Sequence, residues 1–120
     1  MAKDDYDYVV FKILTYLYAC MKRKSSFTES VFRQSIITEK VSEEYMCDIL
    51  KAMTDESLIE GIVFTKAWGN TYIIVSDLSD IRITSEGVRY VINNDKMKII
   101  KQKILEGTPG AIMELVKLAL

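Results

Sequence analysis

Residues 36–75 read IITEKVSEEYMCDILKAMTDESLIEGIVFTKAWGNTYIIV, and the reading of that run decides the fold. Ser42 precedes Glu43 and Glu44, a hydroxyl followed by acids, which is the chemistry of a helix start. Tyr45, Met46, Ile49, Leu50 and Met53 then recur at helical spacing, so a helix with one buried stripe is expected over Glu43–Asp55. After Leu58 the composition turns β-branched and aromatic, and strands are expected over residues 59–65 and 71–75. Ala67, Trp68, Gly69 and Asn70 lie between them, and a Gly-Asn pair is good turn chemistry, so the two strands read as one hairpin.

Working upstream, Val31, Phe32 and Ile36 give a short helix over residues 29–35 an inward face, with Thr28 as its cap and a turn through residues 37–41. Before it, from Asp5 to about Met21, one apolar stripe runs through Tyr6, Val9, Val10, Ile13, Leu14, Leu17, Cys20 and Met21. A second stripe, Tyr8, Phe11 and Tyr18 with Thr15 among them, lies on another face. A surface helix needs only one apolar face, so a later part of the chain or a second molecule must cover the other. Lys22, Arg23 and Lys24 follow where the helix dipole favours positive charge, with a phosphate contact as the sharper alternative. Helix, helix, helix, hairpin is the order of a winged helix. The expected fold is therefore α+β, mostly α: a winged helix-turn-helix of three helices plus a β-hairpin wing, with additional C-terminal helices.

Downstream, residues 77–80 read as a loop and residues 81–83 as a short third strand. Thr84 caps a helix over Ser85–Asn93 whose inward residues include Val88, Val91 and Ile92. Asn93 and Asn94 stop it, since Asn tolerates the left-handed conformation. Asp95 caps a further helix to Glu106, and Gly107 ends that one. Thr108 caps the last helix, residues 111–120, with Pro109 at its first helical position, where a missing N–H costs nothing. Its only charges are Glu114 and Lys117, so it is expected to be buried across the aromatic face of the first helix or between two copies. The chain divides accordingly into a winged-helix domain, residues 1–94, and a C-terminal helical extension, residues 95–120.

With 120 residues and 49% apolar content, one domain with one core is expected. The net charge of −1 supplies no general basic field toward nucleic acid or anionic lipid. Histidine is absent, which removes the usual general base, the histidine-containing triads and the commonest metal ligand. Cys20 and Cys47 lack metal-site spacing, and each is expected to fill a buried or half-buried helical face, in keeping with reducing, cytoplasmic conditions. No base adjacent in sequence activates Cys47 as a thiol switch. Asp4, Asp5 and Asp7 read as a solvated helix start and Asp77 and Asp80 as loop residues. With Lys12 interrupting the first apolar stretch, no signal peptide or membrane span is expected. The five glycines are scattered and build no phosphate cradle. No catalytic residue, cofactor or metal is expected, and the protein reads as a non-enzyme.

The run Ile83-Thr84-Ser85-Glu86-Gly87-Val88-Arg89-Tyr90-Val91 is similar to the Leu-Thr-x-x-Gly-x-x-Tyr-Leu segment that follows the hairpin in many small bacterial winged-helix proteins. With the charged first helix and the hairpin closing just before this run, roughly the first three quarters of the chain resembles the YjcQ family. That resemblance implies a winged-helix fold in small, often prophage-associated proteins without an established activity. Gly87 also has a local reason: lacking Cβ, it lets the helix start lie close to the strands, at a helix cost of about 1 kcal/mol.

Two functions stay open at this level. A transcription-regulator-like protein of prophage type would place its second motif helix in the major groove of double-stranded DNA and its wing near the backbone, using Lys51, Lys66, Trp68, Arg82 and Arg89. Trp68 either touches a groove or partner or folds back over the hairpin. Against this reading, Glu43, Glu44, Asp48 and Asp55, with Glu56 beside them, oppose Lys51 alone. The alternative is a winged helix repurposed for protein–protein contact, its face Glu43, Glu44, Asp48 and Asp55 taking a basic protein partner. Lys96, Lys98, Lys101 and Lys103 read as a solvated helix face, with nonspecific contact to the DNA backbone as the alternative if they share one surface with the wing bases. A homodimer through the first and last helices is expected, and no membrane partner.

Overall fold

Helix α1 (Tyr6–Met21) runs through the middle of the protein, in a computed structural model that describes residues 6–38, 40–107 and 110–120. The helix-start reading of Asp4 and Asp5 and the capping reading of Thr108 and Pro109 concern residues outside that set. Around α1 pack α2 (Glu29–Ile36), α3 (Glu43–Asp55), α4 (Ser85–Asn93), α5 (Asp95–Gly107) and α6 (Ala111–Ala119), so the architecture is α+β and mostly helical. Both stripes of α1 are buried: Val9, Phe11 and Leu14 are sealed from solvent, as are Val10 and Ile13. Only its two ends, Tyr6 and Met21, carry exposed apolar side chains. The cover for the second face comes from the same chain, because α6 lies against α1 and buries Val116 and Ala119. Met97, Ile100 and Ile104 of α5 enter the same core. Lys12, the charge that interrupts the apolar stretch, reaches the Ser35 carbonyl at 2.6 Å and lies over the Tyr8 ring.

The helix starts follow two different chemistries. Ser42 Oγ accepts from the Tyr45 N–H of α3, and Thr84 Oγ1 accepts from the Gly87 N–H of α4 while donating to the Ser57 carbonyl. Thr28 occupies the cap position of α2, but its side chain makes no cap bond, which corrects the expectation. Its backbone N–H donates instead to Tyr16 Oη, whose hydroxyl donates to the Ser26 carbonyl. Phe27 packs on Phe32 with ring centroids 5.3 Å apart, the pairing of residues that flank a first turn. Aromatic packing, rather than a hydroxyl, fixes the entry of α2.

The expected single strand over residues 59–65 is broken into β1 (Ile59–Glu60) and β2 (Phe64–Lys66). Between them Gly61 has φ +91°, and a Cβ there would lie 2.0 Å from the Asp80 carbonyl oxygen. The chain turns at that contact. β1 pairs antiparallel with β4 (Arg82–Ile83), Ile59 opposite Ile83, while β2 pairs with β3 (Tyr72–Ile74), Phe64 opposite Ile74. The third strand thus completes a separate two-stranded sheet and does not widen the hairpin. Gly87 sits where a Cβ would meet the Leu58 carbonyl oxygen at 2.2 Å, so the start of α4 closes directly onto the chain leaving α3.

Asn94 corrects two further expectations. It is extended, with φ −66°, and it ends α4 through its N–H bond to Tyr90 O rather than through a left-handed turn. Its Oδ1 accepts from the N–H groups of Lys96 and Met97, so Asn94 caps α5 and Asp95 is the first residue inside. Ile92, expected inward, is exposed.

Candidate functional site

In a strand, alternate side chains point to opposite faces. Phe64, Ile74 and Tyr72 form the inner face of the β2–β3 hairpin, and Phe64 and Ile74 pack on the core. Val63, Thr65, Ile73 and Val75 form the other face: Thr65 lies opposite Ile73, and the Val75 N–H bonds the Val63 carbonyl at 3.0 Å. That face is open to solvent, with Val63 57%, Ile73 47% and Val75 57% exposed. In sequence these residues read only as β-formers; alternation divides them into two faces but does not say which of the two stays open.

Pairing ends at Lys66–Tyr72, and a short 3₁₀ turn over Trp68–Asn70 closes the hairpin with Gly69 and Asn70 at positive φ. The turn carries Trp68 beyond the last paired residues, and the residue is 96% exposed. The reading in which the ring folds back over the hairpin is therefore wrong: past the end of the ladder it has no side chain to rest on.

Beside the hairpin, Glu44, Asp48, Lys51 and Asp55 of α3 recur at i, i+4, i+7 and i+11 and share a solvent-facing stripe of three acids and one base. Lys51 Nζ is held by both Asp55 oxygens at 2.6 and 2.8 Å, and it lies 4.9 Å from the centroid of the Tyr72 ring. The Asp55 hydrogen bond pushes the Lys51 ammonium above the usual lysine range, so this base stays charged and engaged. Glu43 is paired with Arg33, which also reaches Glu29 at 3.4 Å. Among the described residues Glu44 and Asp48 have no ion-pair partner.

A groove of about 230 Å³ separates the start of α3 from β3, with Glu43, Glu44 and Cys47 on one wall and Tyr72 and Ile73 on the other. It joins the acidic helix start to the aliphatic hairpin face. Cys47 is half-buried there; burial first, and the Glu43 charge second, push its thiol above the ordinary range, against a pull from Arg33. Arg33 is the cationic neighbour that the local sequence around Cys47 does not show.

The remaining bases are dispersed. Lys66 lies across from Tyr72 and shares the tip with Trp68. Arg82 stands opposite Glu60 on the other sheet, in a cleft with Arg23 at the end of α1. Arg89 is exposed on α4, and Lys96 pairs with Asp7 at 3.5 Å. The arrangement brings Lys51 and Lys66 to Tyr72, sets Trp68 beyond them at the hairpin tip, and leaves Arg82 and Arg89 elsewhere. Among the described residues no three His, Cys, Asp or Glu side chains come together to hold a metal ion, and no helix is long and apolar enough to cross a membrane.

These features define a small, mostly helical α+β protein whose candidate site is a surface made by a hairpin and the helix beside it. The chain belongs to the YjcQ family: the family's profile, described as YjcQ protein, matches residues 11–106, from the first turns of α1 nearly to the end of α5. The resemblance read around Gly87 is borne out, and α6 lies beyond the matched residues. No curated protein and no solved structure matches the chain significantly.

Proposed function

We propose that the protein is a protein-binding module, a winged helix whose docking surface is the outward face of the hairpin together with the acidic side of α3. The observation that carries this reading is the aliphatic face of Val63, Ile73 and Val75, which no part of the described chain covers. Fully burying an exposed Val or Ile is worth roughly 1.5–3 kcal/mol, and about half of each side chain is still open, so a covering partner gains roughly 1 kcal/mol of apolar burial from each. A hairpin face that meets the DNA backbone offers Lys, Arg or hydrogen-bonding side chains, whereas this face offers three aliphatic residues and Thr65. The partner that fits is a polypeptide segment with aliphatic residues flanked by Lys or Arg. Its apolar side would cover the hairpin, and its bases would meet Glu44 and Asp48, whose charge steers the encounter and selects the sign.

The competing reading, a prophage-type regulator on duplex DNA, is favoured by Lys51 and Lys66 around Tyr72 and by the exposed Trp68. One titration set separates the two. A peptide of alternating Leu and Lys should bind the hairpin face, a Leu-Glu counterpart should not, and Ile73→Lys with Val75→Lys should abolish binding. Binding to random-sequence duplex DNA that falls with log salt by a slope of roughly −0.9 per phosphate contact, and that Lys66→Glu weakens, would sink the protein-binding reading.

A further inference from the structure

The C-terminal ends of α1 and α6 meet α4 and α5 around a cleft of about 480 Å³, away from the hairpin. From α5 it is lined by Lys98, Lys101, Gln102 and Leu105, spaced i, i+3, i+4 and i+7, which makes them a single stripe. The core-facing stripe of the same helix is Met97, Ile100 and Ile104. Val91 and Ile92 of α4 supply apolar lining, and Ile92 and Leu105 remain 44% and 41% exposed. Lys22 closes the side of α1: its ammonium donates to the Ala119 carbonyl at 2.9 Å and lies over the Tyr18 ring, pinning the end of α6.

Two properties set this cleft apart from a chance gap between helices. No Asp or Glu side chain lines it, and its three charged side chains, Lys22, Lys98 and Lys101, are all cationic. Lys98 and Lys101 have no ion-pair partner among the described residues, unlike Lys51 and Lys96. A concave site of several hundred Å³ with an apolar lining and a few converging polar groups is the usual form of a small-ligand site.

We propose that the cleft binds a small amphipathic anion, an alkyl chain ending in a carboxylate or phosphate. The chain would lie on Val91, Ile92 and Leu105, and the head group would be held by Lys98 and Lys101. Charge complementarity chooses the head, and the exposed aliphatic side chains choose the tail. This assignment is independent of the hairpin surface.

The test is calorimetric titration of the full chain with decanoate, decyl phosphate and decanol, followed by backbone amide shifts. Saturable one-to-one binding of decanoate or decyl phosphate is expected, with shifts at Ile92, Lys98, Lys101 and Leu105. Decanol, and the Lys98→Gln/Lys101→Gln chain at unchanged melting temperature, should each bind about tenfold more weakly or worse, a loss of about 1.4 kcal/mol. Equal affinity for decanol, anion binding that survives the double substitution, or no saturable binding of either anion overturns the proposal. Sedimentation with anionic phosphatidylglycerol vesicles in the absence of decanoate binding would also overturn it, by assigning the lysines to a lipid surface.

Discussion

Helix α1 and the β2–β3 hairpin both carry more apolar surface than a half-buried element needs, and the fold treats them in opposite ways. On α1 the surplus is used along most of the helix: α6 returns across it, and Tyr8, Phe11 and Thr15 of the second stripe are buried. On the hairpin, Phe64 and Ile74 pack inward, while Val63, Ile73 and Val75 stay outside. The two patterns look alike in sequence, runs of Ile, Val, Phe and Tyr with few charges. They differ in whether the chain comes back. Where it does, the surplus is core; where it does not, the surplus is surface available to another molecule.

The largest expected effect breaks the covered side. Leu14→Ala should lower unfolding stability by roughly 2–5 kcal/mol, because a sealed side chain leaves a cavity its neighbours fill only partly. Ile73→Ala and Val75→Ala, measured in the same urea series, should each stay within about 0.5 kcal/mol, as surface substitutions do. If the hairpin variants cost as much as Leu14→Ala, the outward face is held by contacts within the chain, and the comparison fails.

Next in size is the hinge that separates the hairpin from the other strand pair. Gly61→Ala must move the Asp80 carbonyl away and adopt φ near +91°, so it should cost roughly 1–3 kcal/mol. Amide shifts should change at β1 and β4 and much less at Ile73 and Val75. Equal disturbance of both would show that the two sheets move as one.

Much of this organisation is legible in the sequence. Ser42 and Thr84 announce their helices because a hydroxyl accepting a backbone N–H is a local device, readable within four residues. The three helices, the hairpin order and the role of Gly87 follow in the same way. What escaped depends on distant partners. Gly61 looks like one more strand residue until Asp80, far along the chain, stands against it. Thr28 looks like a cap until Tyr16 takes its N–H and Phe27 closes on Phe32. Two helix ends carry no glycine signal: Arg23 after α1 and Ser57 after α3 adopt φ near +60° and close the last turns with N–H bonds from Lys24 to Ala19 and from Leu58 to Met53. For the candidate site, the acidic stripe was readable as a helical spacing. The open aliphatic face was not, because burial of a strand face depends on what the rest of the chain covers.

The smallest expected effect uses the two cysteines as reporters of the two regions. Cys20 belongs to α1 and Cys47 to the groove beside the hairpin, and burial raises both thiols above their ordinary range. Since the thiolate is the reactive form, both should be alkylated slowly by iodoacetamide at neutral pH and faster only as pH rises past the ordinary thiol range. Their second causes differ. The nearby Tyr16 hydroxyl pulls the Cys20 thiol down, whereas the Glu43 carboxylate raises that of Cys47 against the opposing pull of Arg33. Glu43→Gln removes the raising charge and leaves the opposing pull of Arg33, still held by Glu29, in place. The onset of Cys47 alkylation should move to lower pH while that of Cys20 stays in place, read by mass spectrometry of the labelled peptides. An unmoved Cys47 would mean that burial alone sets its reactivity, and that the acidic helix start does not act electrically on the groove where a basic partner is proposed to dock.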